Sequence, residues 1–112
     1  MAAGKYDITL ERGETFRRRF AYERLDGQPI VLTGYSARLR VVTDDTARAE
    51  LMALTEGNGG IILYGSSGEV ETYISLSGVE DLPFTQARYY LELIAPNGDV
   101  ERILEGTIRR NP

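Results

Sequence analysis

Hydrophobic and polar residues alternate along most of this chain. Near the start, Tyr6, Ile8 and Leu10 are apolar and the residues between them are polar. Successive residues of a β-strand point to opposite sides of a sheet, so this pattern predicts strands with one buried face. The predicted strands cover residues 6–10, 15–22, 35–42, 61–64, 69–76, 86–95 and 100–109, and a short apolar segment covers residues 30–32.

Residues 44–55 fit two structures. Thr46 could cap a short helix that ends at Leu54, because Ala, Glu, Leu and Met favour helices. Residues 50–54 could instead form a short strand. We favour the strand, because the neighbouring segments on both sides are predicted strands.

The last two predicted strands are joined by Pro96-Asn-Gly-Asp99. Asn-Gly is typical of a two-residue type I′ turn, whose twist matches that of the strands it joins. Such a turn fixes which residues face each other across the hairpin. The predicted pairs are Tyr89 with Gly106, Leu91 with Leu104, Glu92 with Ile103, Leu93 with Arg102, and Ile94 with Glu101.

The number of strands indicates the fold class. About seven or eight short antiparallel strands, with turn signals roughly every 8 to 12 residues, are typical of a β-sandwich or a small barrel. We predict an all-β single domain over residues 1–112, in which residues 77–83 form an irregular or single-turn crossing between two sheets. Residues 1–5 and 109–112 are expected to be arms that are flexible or become ordered on a partner. The predicted core consists of Ile8, Leu10, Phe16, Phe20, Leu32, Leu39, Val41, Ile62, Val70, Ile74, Leu76, Tyr89, Leu91 and Leu104.

Composition removes much of the usual catalytic chemistry. The 112 residues include no Cys, which excludes disulfides and thiolate metal sites. They also include no His, the commonest general base and metal ligand, and the only Lys is Lys5. We therefore predict a protein that is not an enzyme and that binds no metal or cofactor.

Carboxylate groups match no known site. Glu69 and Glu71 share a strand face, but a glycosidase needs two carboxyl groups across a cleft, and nothing here marks one. Asp44 and Asp45 could offer oxygen ligands to Ca²⁺, but they match no EF-hand spacing. We interpret these groups as charges of exposed strand faces and loops.

Net charge and hydropathy bear on the partners. The net charge of −4 argues against a nucleic-acid binder, which usually carries a basic surface. No apolar run approaches the roughly 20 residues that cross a bilayer. Residues 1–5 lack the apolar core of a signal peptide. We expect neither a nucleic-acid nor a membrane partner, and synthesis in the cytoplasm.

Arginine and tyrosine are the most distinctive residues. Alternation places Arg17 and Arg19 on one strand face, and Arg38 and Arg40 on one face of another strand. These arginines could dock onto an acidic partner. They could instead pair across strands with Glu69, Glu71 or Glu92.

Three tyrosines, and a possible fourth at Tyr35, fall on predicted outer faces. Tyr suits interfaces because its ring is apolar and its hydroxyl is polar, but it is also a good strand former. Both interpretations stay open. The candidate interface residues are Arg17, Arg19, Arg38, Arg40, Tyr64, Tyr73 and Tyr90.

The order of short motifs along the chain resembles that of small bacteriophage and prophage structural proteins. The motifs are Tyr6-Asp-Ile-Thr-Leu-Glu-Arg-Gly13 with Phe16, Asp26-Gly-Gln-Pro-Ile-Val-Leu-Thr-Gly-Tyr35, Asn58-Gly-Gly-Ile61, Gly68-Glu-Val70, Tyr90-Leu-Glu-Leu93, Pro96-Asn-Gly98 and Arg102-Ile-Leu-Glu-Gly106. The resemblance is to an immunoglobulin-like domain similar to the N-terminal domain of phage baseplate upper proteins. It spans nearly the whole chain.

This resemblance implies an immunoglobulin-like β-sandwich that serves as a structural part of a phage particle. The expected role is that of a tail, baseplate or fibre-attachment adaptor, made in the host cytoplasm and located in the virion. Its expected partners are other virion proteins and further copies of itself, since most soluble oligomers are symmetric. The alternative is a carbohydrate-binding or adhesin-like module that uses exposed Tyr, although the absence of Trp counts against it.

Overall fold

The computed structural model describes residues 4–22 and 31–111, and the apolar residue Ile30 lies outside them. The strands within this part are β1 (Gly4–Lys5), β2 (Ile8–Leu10), β3 (Phe16–Ala21), β4 (Ser36–Val42), β5 (Glu50–Thr55), β6 (Ile61–Tyr64), β7 (Glu69–Ile74), β8 (Gln86–Ile94) and β9 (Val100–Arg110). A short helix, α1 (Leu76–Glu80), follows β7 and connects the two sheets, as predicted for residues 77–83. No helix in these described ranges is long and apolar enough to cross a membrane.

The strands form two sheets that pack face to face. The larger sheet has the order β1-β9-β8-β4-β5, with β2 also paired to β9, and the smaller sheet has the order β3-β7-β6. This distribution of strands between two sheets is that of an immunoglobulin-like sandwich, in which the last hairpin, β8 and β9, shares a sheet with β4. The predicted all-β sandwich is therefore confirmed.

The N-terminal strands differ from the prediction in two ways. Both β1 and β2 run parallel to β9, with Gly4 opposite Leu104 and Ile8 opposite Ile108, so the pairing is not antiparallel throughout. The arms expected at residues 1–5 and 109–112 are also shorter than predicted, because these parallel ladders include Gly4, Lys5, Arg109 and Arg110. Residues 1–3 and 112 lie outside the described part. Each terminal segment satisfies the backbone hydrogen bonds of the other.

The core lies between the two sheets and contains most of the predicted residues. Ile8, Leu39 and Leu91 are almost completely buried. Two predicted core residues are exposed, Ile62 at 44% and Leu76 at 46%. Pairing of Ile62 with Glu71 turns Ile62 outward, and Ile61 is buried in its place. Strand β7 ends before Leu76, which lies on the exposed side of α1.

Residues 44–55 contain a strand and no helix, which confirms the favoured interpretation. Strand β5 pairs with β4 along the edge of the larger sheet. Thr46 caps no helix, because the side chain of Asp45 accepts hydrogen bonds from the backbone N–H groups of Ala47 and Arg48. Such a bonded loop competes with helix formation. The chain then turns at Arg48, whose φ of 49° is in the left-handed region.

The last hairpin has a different turn from the one predicted. The N–H of Gly98 bonds to the carbonyl of Ala95, and Gly98 has a φ of 94° while Asn97 has no positive φ. This is a type I turn followed by a left-handed glycine, which forms a three-residue loop. The longer loop changes the pairs near the turn, and a bulge after Leu91 then restores the predicted register. Tyr89 with Gly106 and Leu91 with Leu104 are confirmed, whereas Glu92 faces Arg102, Leu93 faces Glu101 and Ile94 faces Val100.

Candidate functional site

The outer face of the smaller sheet carries a cluster of arginine, glutamate and tyrosine. Strand register places Arg19 opposite Glu71 and Arg17 opposite Tyr73. Nη1 of Arg17 lies 2.9 Å from one carboxylate oxygen of Glu71, and Nη2 of Arg19 lies 3.1 Å from the other. Glu71 is only 6% exposed. We call Arg17, Arg19, Glu71, Tyr64 and Tyr73 the first cluster.

Each arginine of the first cluster also covers a tyrosine ring. The guanidinium carbon of Arg17 is 4.8 Å from the centre of the Tyr73 ring, and that of Arg19 is 4.1 Å from the centre of the Tyr64 ring. The hydrogen bond from Arg19 lowers the pKa of Glu71, and the bond from Arg17 adds to this effect against the opposing effect of burial. Glu71 therefore stays charged at neutral pH, and its two bonds hold both arginines over the rings.

The outer face of the larger sheet repeats this arrangement. Nε of Arg38 lies 2.7 Å from Oε1 of Glu92, and Arg40 reaches both oxygens of Glu92 at 3.0 and 3.2 Å. Glu92 is 4% exposed. The ring of Tyr90 lies between two guanidinium groups, 5.7 Å from that of Arg40 and 3.8 Å from that of Arg102. We call Arg38, Arg40, Glu92, Tyr90 and Arg102 the second cluster.

Burial and hydrogen bonding act in opposite directions on Glu92. Burial raises the pKa of this carboxyl, but the hydrogen bonds from Arg40 and Arg38 outweigh burial, so the pKa is lowered. The charged form of Glu92 is thus stabilised by both arginines together. Loss of both would leave a buried charge unpaired, so this pairing restrains the side chains of the cluster.

The seven candidate interface residues do not form one surface. Arg17, Arg19, Tyr64 and Tyr73 lie on one outer face of the sandwich, and Arg38, Arg40 and Tyr90 lie on the opposite face. Cross-strand pairing, one of the two interpretations of the arginines, is confirmed for both pairs. A role of these residues in an interface stays a prediction.

Sequence reasoning missed three cations of the second face. The predicted register placed Arg102 on the inner face opposite Leu93, but the longer turn and the bulge place it on the outer face. Lys5 was assigned to an arm, yet it pairs with Glu105 and lowers the pKa of that carboxyl, with smaller effects from Arg102 and Arg88. Arg88 faces outward opposite Thr107. The correct turn type was the one signal that could have placed Arg102.

Hollows in the described part are small. The hollow between β2 and β3 has a volume of about 230 Å³ and includes Glu11, Glu14 and Phe16 in its lining. Another, of about 230 Å³, lies beside Tyr73 and Asn58. The side chain of Asn58 already bonds to the backbone of Ala53, Thr55 and Gly60. No observation here specifically favours a sugar, so glycan binding stays a prediction.

The described ranges bring together no metal-binding group of three or more acidic residues. Asp45 instead uses its carboxylate within its own loop, where the hydroxyl of Thr43 donates to it at 2.7 Å. That bond lowers the pKa of Asp45, with further lowering by the N–H groups of Arg48 and Ala47. This carboxylate therefore shapes the loop between β4 and β5.

Comparison with known proteins finds distant structural likeness but no related family. No protein-family model matches the sequence, and no curated protein matches it. Among solved structures, extracellular domains 3-5 of Drosophila OTK are similar to 93% of this chain, with 15% sequence identity and a TM-score of 0.40. The chain spans 32% of the length of that structure.

Proposed function

We propose that this protein is a non-enzymatic structural module of a bacteriophage particle, which joins other virion proteins through protein–protein contacts. The observation that carries the assembly role is the pair of clusters, one on the outer face of each sheet. Arg and Tyr are enriched among residues that dominate binding energy at interfaces. In each cluster a buried carboxylate holds the arginines in place, so little side-chain freedom is lost when a partner binds.

The phage part of the proposal is supported by the sequence resemblance. The matching motifs run in order from Tyr6 to Gly106, and the related domain is an immunoglobulin-like sandwich, as this one is. On this proposal the protein is made in the host cytoplasm and becomes part of the tail, baseplate or fibre attachment. Its partners are other virion proteins and further copies of itself.

Particle composition tests the phage role. The chain is expressed with an epitope tag during phage growth, and the particles are purified by density gradient and analysed by quantitative mass spectrometry. We expect a fixed number of copies per particle, with the tag on the tail or baseplate in immunogold micrographs. Absence from particles at every stage of purification would show that the protein is not a virion component.

Tyrosine variants test whether the clusters mediate assembly. We expect Tyr73→Ala or Tyr90→Ala to reduce incorporation into particles about tenfold, because each removes an aromatic contact surface. Tyr73→Phe and Tyr90→Phe keep the ring under its arginine and are the matched controls. Equal incorporation of the Ala and Phe variants, at equal thermal stability, would exclude these rings from the interface.

A further inference from the structure

The outer face of the larger sheet is basic, although the chain as a whole is acidic. Six cationic side chains lie on this face or along its edge, against four carboxylates, so the face carries a net charge of about plus two. The net charge of the chain is −4. The cations are Lys5, Arg38, Arg40, Arg88, Arg102 and Arg109, and the carboxylates are Asp7, Glu50, Glu92 and Glu105. We call this surface the basic face.

One end of the sandwich carries the opposite charge. Three segments meet there: the turn between β2 and β3, the loop between β4 and β5, and the C-terminal end of α1. Glu80 accepts hydrogen bonds from Arg12 and from the backbone of Gly13, and Asp44 accepts one from Gln86 at the start of β8. This acidic end carries six carboxylates and three arginines. The carboxylates are Glu11, Glu14, Asp44, Asp45, Glu80 and Asp81, and the arginines are Arg12, Arg48 and Arg110.

Arg88 is the cation on the basic face whose bonding is least complete. Arg38, Arg40 and Arg102 each have a carboxylate oxygen within 4.0 Å. Within residues 4–22 and 31–111, the Arg88 side chain makes no ion pair, and its Nε is buried without a hydrogen-bond partner. The enclosed Nε is out of reach of an outside group, but Arg88 as a whole is only half-buried. A carboxylate from outside the chain would supply the ion pair that the rest of its guanidinium group lacks.

We propose that the acidic end of one copy docks on the basic face of a second copy, with carboxylates of the first placed around Arg88 of the second. The two complementary surfaces occur on the same chain, which makes a second copy the partner that charge complementarity favours. Two basic faces would repel each other, so the contact is head to tail. Head-to-tail contacts build rings or filaments instead of two-fold dimers.

This inference rests on the assembly function proposed above and specifies one of its contacts. It can fail separately, because it is tested with the purified chain alone. A protein found in phage particles that does not self-associate would refute this contact and leave the virion role intact. A protein that self-associates head to tail but is absent from particles would support this contact and refute the virion role.

Salt dependence of self-association is the first test. In sedimentation velocity at about 20 mM salt, we expect the average sedimentation coefficient to rise with protein concentration, and at about 500 mM salt to fall to that of a monomer. A chain that stays monomeric at about 20 mM salt up to about 1 mM protein would overturn the proposal. A dimer that does not respond to salt would also overturn it.

Charge variants locate the two surfaces. Arg88→Gln lowers the net charge by one and is expected to weaken self-association about tenfold. Ser66→Glu lowers the net charge equally and is the matched control, because Ser66 is exposed in the loop between β6 and β7, at the end opposite the acidic one. Equal weakening by both variants would show that only overall charge matters, and would refute the docking site.

Mixing two charge-reversal variants, one at each surface, tests the head-to-tail geometry. Arg88→Glu disables the basic face, and the pair Glu14→Lys with Asp81→Lys disables the acidic end at two exposed positions. Each variant alone should be monomeric, whereas the mixture should form one-to-one dimers that do not grow further. Circular dichroism confirms folding, and the variant at the acidic end keeps the test valid if Arg88→Glu does not fold. Larger assemblies from either variant alone, or binding of poly-glutamate without self-association, would overturn the proposal.

Discussion

At the scale of single residues, Gly106 is the described glycine that leaves the least room for a side chain. A Cβ atom there would lie 2.2 Å from the carbonyl oxygen of Tyr6 and 2.8 Å from its carbon. Backbone atoms cannot move aside as the tip of a side chain can. The hydroxyl of Tyr89 also donates to that carbonyl, which holds it against Gly106. We expect Gly106→Ala to lower the free energy of unfolding by about 3 kcal/mol, measured by urea denaturation.

Gly4→Ala is the control for this prediction. Gly4 also lies opposite β9, but its Cβ would meet a side-chain atom of Leu104 at 3.4 Å, which is an ordinary contact. Its free energy of unfolding should stay within about 0.5 kcal/mol of the wild-type value. If both variants unfold at the same urea concentration, the crowding at Gly106 does not limit stability.

Sequence reasoning could reach only part of this local structure. Alternation placed Gly106 opposite Tyr89 correctly, because both belong to one hairpin. The approach of Tyr6 to Gly106 depends on a parallel pairing between segments about 100 residues apart. No local pattern reports such a pairing, so the need for glycine became visible only in the folded chain.

At the scale of elements, the positions of the strands were easier to predict than two finer features. These are which face of a strand points inward and which type of turn joins two strands. Three successive apolar residues, Ile61 to Leu63, fit a strand with either face inward. Pairing with β7 decides which face of this strand points inward. Glu71 lies on the outer face, and Ile62, which is opposite it, therefore points outward as well. In the last hairpin, Pro96 suits the second position of a type I turn, and this signal competes with that of Asn97-Gly98 for a type I′ turn.

The turn found in the last hairpin leads to a prediction about Gly98. Its φ of 94° favours glycine, and no atom lies within 4 Å of the place where a Cβ would stand. Substitution therefore changes only backbone strain. We expect Gly98→Ala to lower the free energy of unfolding by about 1 kcal/mol, and Gly98→Asn to lower it by less, because Asn tolerates this region better.

Thermal denaturation followed by circular dichroism measures both Gly98 variants. Gly57→Ala is the control, since Gly57 has no positive φ and its Cβ would make only an ordinary contact with Thr55. This control should match or exceed the stability of the wild type. A Gly98→Ala variant as stable as Gly57→Ala would contradict the left-handed conformation at Gly98.

At the scale of the whole molecule, charge is organised in a way that composition conceals. The net charge of −4 describes neither the basic face nor the acidic end. Sequence alternation named Glu69, Glu71 and Glu92 as possible cross-strand partners of the arginines, and the observed register determines which glutamate each arginine meets. Alternation alone could not show that Lys5, Arg88 and Arg102 lie on one face. Their placement depends on the parallel pairing with β9 and on the bulge between β8 and β9.

The dependence of stability on pH follows from the same network. The pKa values of Asp45, Glu71, Glu80, Glu92 and Glu105 are lowered in the folded state. At acid pH the unfolded chain therefore binds more protons than the folded chain, so stability is present above the usual carboxyl pKa of about 4 and is lost below it. Burial raises the pKa of Tyr22 to about 12. The unfolded chain therefore loses this proton at a lower pH than the folded chain, so the free energy of unfolding falls as the pH rises from about 10 towards 12.

We expect the free energy of unfolding to change little between about pH 6 and pH 9, because the chain has no His to titrate there.

Glu92→Gln should lower the free energy of unfolding by about 1–2 kcal/mol at pH 7. This value is modest because Arg38 and Arg40 are partly exposed and screened by water. The difference from the wild type should shrink as the pH falls below the usual carboxyl pKa of about 4, as Glu92 itself becomes protonated. Glu14→Gln, at an exposed carboxylate with no ion pair in the described part of the chain, is the control. Urea denaturation from acid to neutral pH measures both variants, and a Glu92→Gln deficit that stays constant with pH would refute the ion pair as its cause.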